Sequence, residues 1–274
     1  MRRILIFVAL LGLSVWAVGQ AAPSGQSTAP QGKRPPQAKT QDEFQAYKAT
    51  MALTDAAAQE KAADDFAAKF PNSELKALVY KQGPMHGYQT AHNDDKTVEM
   101  ARKVLSFDAD DPEALLTVAQ ILSDKTKDTD LDKDQRLAEA KKDAERALVT
   151  VDTDVPTSGY APEQLAAFKA NVRSEAYEIL GVLAFNANQW KDAEANLKKS
   201  IDAYPDQPDA LAVYKLAVAL DMQDRYADGL KYADQAVNLT KDQPDSGVGK
   251  AARDEKDRLQ KLNSGTAPGQ PAPK

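Results

Sequence analysis

One apolar spacing constrains this chain more than any other feature. From Trp190, apolar or small residues follow at Ala193, Leu197, Ser200 and Ile201, at offsets 0, 3, 7, 10 and 11. Those offsets fall on one face of an α-helix. From Tyr226 they select Gly229, Ala233, Ala236 and Val237, and from Leu137 they select Ala140, Ala144, Ala147 and Leu148. Weaker copies start at the polar residues Asp94 (Thr97, Ala101, Val104, Leu105) and Gln59 (Ala62, Phe66, Lys69, Phe70). The residue at offset 3 is small in the stronger copies, as close packing of one helix on a neighbour requires.

Each of these helices has a partner before it. Tyr177, Leu180 and Gly181 precede Trp190 across the turn "NAN", where Asn accepts the left-handed conformation. Val213, Leu216 and Ala217 precede Tyr226, and Leu115, Val118 and Ala119 precede Leu137. The unit is helix–turn–helix, and the starts at 59, 94, 137, 190 and 226 differ by 35, 43, 53 and 36 residues.

At this point the pattern Tyr177, Leu180, Gly181, Trp190, Ala193, Leu197, Ile201 and Pro205 resembles the tetratricopeptide repeat. "DADDPEALLTVAQIL", Asp108 to Leu122, looks like the junction between two such repeats. "FPNSELKAL", Phe70 to Leu78, is also similar to repeats of envelope-assembly proteins, though the match is short. The resemblance implies an all-α, right-handed α-solenoid over residues 41–262, of about five repeats. "SGVGKAARDEKDRLQKL", Ser246 to Leu262, then reads as a polar capping helix.

Three places depart from the pattern. Gly83-Pro84 interrupts the first helix of repeat two, where a break or kink is expected. "VDTDVPTSGYAPEQLAAFK", from Val151, adds a loop and an N-terminal extension to the next helix, with Pro162 in its first turn. "DTDLDKDQRLAE", Asp128 to Glu139, carries acids at the ligand positions of an EF-hand loop. It has Lys133 where that loop needs glycine. Leu122 to Leu137 spans 15 positions against six for Ala184 to Trp190, so the stretch is a nine-residue insertion. Helix capping by Asp132, with Gln135 three residues on, accounts for its acids better than calcium does.

The ends bear on destination. Arg2 and Arg3 precede an apolar run from Ile4 to Val18 and a small-residue exit at Gly19, Ala21 and Ala22, which reads as a signal peptide over 1–21. Residues 22–40 and 263–274, poor in large apolar side chains, read as a disordered leader and tail. There is no cysteine, so neither a lipid anchor nor a disulfide is available. Periplasm or cell envelope is the expected location, with no stable membrane insertion after cleavage. Taking Arg2 and Arg3 from 35 basic residues leaves 33 against 41 acidic ones, a net charge near −8 that disfavours nucleic acid.

No catalytic constellation is legible. His86 and His92 lie six apart and do not share a helical face. Nucleophile elbows, Gly-rich phosphate loops and zinc motifs are absent from the sequence, and no cofactor is expected. What the resemblance implies is binding, in a groove lined by the first helix of each pair. Its positions are Glu175, Glu178, Val182, Phe185 and Asn186 in repeat four, then Leu211, Tyr214, Val218, Asp221 and Met222 in repeat five. These acids and apolar side chains suit a protein or peptide segment with some positive charge rather than a terminal carboxylate. A structural spacer or self-assembling solenoid, and a ligand- or calcium-binding solenoid, are the alternatives.

Overall fold

A computed structural model describes residues 33–156 and 160–264. The expected signal peptide, the leader up to residue 32 and the tail from residue 265 lie outside them. Helices α1 (Gln41–Met51), α2 (Ala56–Lys69), α3 (Lys76–Tyr80), α4 (His86–Thr90), α5 (Asp94–Phe107) and α6 (Pro112–Lys125) come first. Then come α7 (Lys133–Thr150), α8 (Pro162–Asn186), α9 (Trp190–Ala203), α10 (Ala210–Asp221), α11 (Tyr226–Leu239) and α12 (Gly247–Asn263). No strand occurs among the described residues, so the fold is all-α. The chain divides into two compact units, Met1–Val118 with Val149–Ala166, and Ala119–Leu148 with Ala167–Lys274.

Within each unit, helices pack on their neighbours in sequence. In the first unit α1 packs on α2, α2 on α3, and α3 and α4 on α5; in the second, α9 packs on α10, α10 on α11 and α11 on α12. Five helices bury one and the same set of positions. At offset 0 the residue is half-buried, at 3, 7 and 10 it is buried, and at 11 it is half-buried again. This holds from Asp94 in α5, Leu137 in α7, Trp190 in α9 and Tyr226 in α11. It holds in α2 as well, but from Ala56 (Gln59, Ala63, Phe66, Ala67), three residues before the start expected from the sequence. Lys69 is exposed and Phe70 stands past the helix as its C-cap, so neither belongs to the buried set.

The turns before α5, α9 and α11 repeat too. His92, Asn188 and Asp224, each two residues before a helix start, have φ of 56°, 58° and 58°. Asn93, Gln189 and Arg225 donate their amides to the carbonyls of Tyr88, Ala184 and Leu220 at 2.9–3.0 Å. His92, Asn188 and Asp224 donate to Gln89, Phe185 and Asp221 at 2.9–3.1 Å. This paired bonding is the Schellman arrangement, which satisfies the carbonyls left over where a helix ends. The turn "NAN" uses Asn188 as the sequence suggests, and His92 serves as a turn residue.

Repeat two does not break at Gly83. Lys81–Met85 forms a single π-helical turn between α3 and α4. The wider i→i+5 bonding carries the helix past Pro84, which has no amide hydrogen to give. That turn places Lys81 and His86 beside the start of α6. Lys81 Nζ lies 2.6 Å from Asp111 Oδ2 and 3.6 Å from Glu113 Oε2, and His86 Nε2 lies 2.5 Å from Glu113 Oε1. Asp111 also caps α6, its Oδ1 accepting the Ala114 amide at 2.9 Å, ahead of Pro112. Burial alone would raise the Glu113 pKa, but Lys81 and His86 outweigh it and hold the carboxyl near 2. Burial would likewise lower Lys81, and the Asp111 and Glu113 charges keep it raised instead.

The insertion in repeat three is mostly helix. α6 runs three residues past Leu122 and α7 begins at Lys133, four before Leu137, leaving only residues 126–132 as loop. Asp132 directly precedes α7, where a cap belongs, and its carbonyl accepts the Arg136 amide at 3.0 Å. Asp130 Oδ2 accepts the Lys127 amide at 2.9 Å, and Asp128 pairs with Lys133 at 2.8 Å. Two of the acids at calcium-ligand spacing are therefore already engaged by neighbouring groups. Among the described residues no three His, Cys, Asp or Glu side chains converge as a metal site would need.

Residues 33–40, part of the expected disordered leader, differ from that expectation. They lie against the first unit through ion pairs and backbone hydrogen bonds. Thr40 starts α1 as its cap, accepting the Glu43 amide at 3.1 Å. The Glu43 carboxylate, buried beside the Ser73 hydroxyl, reaches back to the Lys39 amide at 2.7 Å. Thr-x-x-Glu is a capping-box spacing.

Two glycines of the second unit mark close approach between neighbouring helices. A Cβ on Gly181 would stand 2.7 Å from Leu197 Cγ and 3.2 Å from its amide nitrogen; one on Gly229 would stand 3.0 Å from the Ala217 carbonyl. Gly247, at the start of α12, has open space around it. We expect Gly181→Ala to cost about 1–3 kcal/mol through overpacking. Gly247→Ala is expected to gain up to about 1 kcal/mol by stiffening the unfolded chain. Urea unfolding followed by circular dichroism measures both, and equal effects would refute the close approach at Gly181.

Candidate functional site

The positions expected to line a groove all lie on α8 and α10, or one residue beyond α10 at Met222, within the second unit. Their placement follows from the hairpin register. α8 turns Gly181 toward Leu197 of α9, and the Ser174 hydroxyl donates to the Ser200 carbonyl at 2.9 Å. Residues on the other side of α8 are therefore available to something other than α9. In α10, Ala212, Leu216, Ala219 and Leu220 enter one core cluster with Leu197 and Ala193, while Val213 and Ala217 enter two others. That leaves Leu211, Tyr214 and Val218 half-buried.

The structure separates the expected residues into two groups. Glu178, Val182 and Asp221 are 6%, 5% and 4% exposed, so they pack inside the unit and offer no surface to a partner. Glu175, Phe185, Leu211, Tyr214 and Val218 are half-buried, and Asn186 and Met222 are exposed. Phe185 meets Trp190 edge-on at 5.3 Å, and the Lys215 ammonium stands 4.2 Å over its ring. Glu175 accepts a hydrogen bond from Asn171 Nδ2 at 2.9 Å.

α12 supplies the other side of this surface, which the sequence reading treated only as a cap. α12 packs on both α10 and α11. Arg258 forms an ion pair with the buried Asp221, and its Nε lies 3.3 Å from Glu255 Oε2. Glu255 is 8% exposed, and its Oε1 has no hydrogen-bond partner. Burial raises the Glu255 carboxyl above the ordinary carboxylate range. Burial, and then the charges of Glu255 and Asp254, also raise the Tyr214 hydroxyl. Glu255 is thus buried like Asp221, and the face itself offers half-exposed apolar side chains and the half-exposed Glu175.

The signal for α12 was present in the sequence. Ala252, Glu255 and Leu259, at spacings of three and four, are its buried face together with Gly249. Reading Ser246 to Leu262 as a polar capping helix concealed it.

A shallow cleft of about 290 Å³, lined by Lys198, Arg225, Asp228, Lys231, Tyr232 and Gln235, lies between α9 and α11. Its cations are already engaged: Lys198 and Arg225 with Glu194 at 2.6 and 2.7 Å, and Arg225 and Lys231 with Asp228 at 2.9 and 3.1 Å. Among the described residues no helix is long and apolar enough to cross a membrane. No protein-family model matches the chain, and no curated protein matches it in sequence.

The sign of the Glu255 shift makes a prediction. A carboxyl whose folded pKa is raised favours folding below its unfolded pKa, near 4.5, and opposes it once pH rises past the folded value. Glu255→Gln should therefore stabilise the protein at pH 7 and have a smaller effect at pH 4. Thermal melts at the two pH values check this; equal effects, or destabilisation at pH 7, would contradict it.

Proposed function

We propose that this chain is a non-enzymatic protein-interaction scaffold that binds a partner segment on the face formed by α8, α10 and α12. The architecture we infer is a right-handed, tetratricopeptide-like solenoid of five helix hairpins closed by α12. The five-fold burial pattern and the three Schellman turns support it. The observation that carries the binding reading is that Phe185, Tyr214, Val218 and Glu175 are half-exposed and Met222 is exposed along α8 and α10. Apolar side chains give a partner's segment its contact area, and Glu175 selects one that carries positive charge. A signal peptide over 1–21 would deliver the protein to the bacterial cell envelope, where we place the partner.

Photo-crosslinking tests this reading in envelope extracts of the native organism. A photoreactive residue at Asn186 or Met222 should capture one discrete partner, identified by mass spectrometry. The same residue at Asp202 or Lys241, exposed elsewhere on the unit, should not. Capture from all four positions, or from none, would count against the face. Light scattering that showed mass rising with protein concentration, with crosslinks only between copies, would favour self-assembly.

A further inference from the structure

The first unit carries a second surface, and the chain itself shows what that surface accepts. Residues 33–40 lie across it without helical structure up to the cap of α1. Lys33 Nζ lies 2.6 Å from the Asp108 carboxylate and 3.5 Å from Asp154, and its amide donates to the Thr153 carbonyl at 3.0 Å. Arg34 Nη2 pairs with Glu74 Oε1 at 2.7 Å, while Glu74 Oε2 accepts the Gln37 amide at 3.3 Å. Lys39 Nζ donates to the Asn72 carbonyl at 2.6 Å. Pro35 and Pro36 between them are half-buried.

The acceptors come from places far apart in sequence: the loop before α3, the end of α5 and the turn after α7. They are three carboxylates and two backbone carbonyls, all accepting from one short basic segment. Two adjacent prolines hold that segment near the polyproline conformation, so little entropy is lost when it is laid down.

The contacts are also individually weak. The Arg34 side chain is 65% exposed, Glu74 35% and Lys33 39%, so water and salt screen these pairs. The segment is joined directly to α1, however. A short tether gives an effective concentration in the millimolar range, so even a weak intramolecular ligand stays bound.

We propose that the surface lined by Glu74, Asp108, Asp154 and the Asn72 and Thr153 carbonyls binds an extended, basic, proline-containing segment of a partner protein. Residues 33–39 are its occupant in cis. A partner segment displaces them, and Lys33, Arg34 and Lys39 are then released to solvent. This surface belongs to the first unit, and the proposal does not rest on the α8–α10–α12 reading.

The test uses the full chain and a fluorescein-labelled peptide of sequence KRPPQAKT, followed by fluorescence anisotropy at low salt. Wild type should bind it weakly, because the surface is occupied. The variant K33E/R34E/K39E repels its own segment and should bind the peptide at least tenfold more tightly, with the gain shrinking as salt is raised. Adding E74K/D108K to that variant should abolish binding. Should the charge-reversed chain unfold, K33A/R34A/K39A frees the surface without reversing charge and should show the same gain in smaller measure. No gain in a folded variant, or binding that survives E74K/D108K, would overturn the proposal.

Discussion

Two hairpins of the second unit, α8–α9 and α10–α11, depend on a glycine at one buried point of contact. In the first, Gly181 of α8 meets Leu197 of α9; in the second, Gly229 of α11 meets the Ala217 carbonyl of α10. With backbones this close, the partner helix has one workable register, because any larger side chain meets a backbone atom or the base of a leucine. The Schellman turns fix the same register from the other end. A left-handed residue two positions before the helix start lets the chain reverse while its last carbonyls stay bonded. Packing and turn geometry agree, and this agreement allows a protein without cysteine to rely on burial alone.

The proposed binding face of the second unit follows from that register. Once Gly181 and Ser174 face α9, residues such as Glu175 and Phe185 must face elsewhere. α12 then closes the second unit with a buried Leu259 and brings Glu255 and Arg258 to α10. A helix that ends a repeat array needs a polar outer side. Here its inner side carries charge as well, and the buried Asp221 needs Arg258 as its counter-ion.

Where the sequence was legible, one physical signal dominated. α5, α9 and α11 start at Asp94, Trp190 and Tyr226, where the offsets begin, because side-chain spacing and turn chemistry coincide there. α2 was placed three residues late because "AAAQEKAADDFAAK" is so rich in alanine that several registers score alike. Phe70 then drew the reading toward a residue that caps the helix. The π turn was not foreseen, since Gly-Pro reads as a break unless neighbours compensate for the lost bond. Glu178, Val182 and Asp221 show a different limit. Periodicity assigns each to a helical face, but does not show that neighbouring elements bury that face.

The register of α8 on α9 decides which residues the face presents, and it can be measured directly. The Ser174 and Ser200 hydroxyl oxygens lie 3.3 Å apart, and the chain has no other thiol to interfere. A disulfide demands this kind of proximity between its two side chains. In S174C/S200C, mild oxidation should form an intramolecular disulfide nearly completely, while S174C/K199C, one residue out of register, should stay reduced. Failure of the first pair to close, or equal closure of both, would contradict the register from which the proposed binding face is derived.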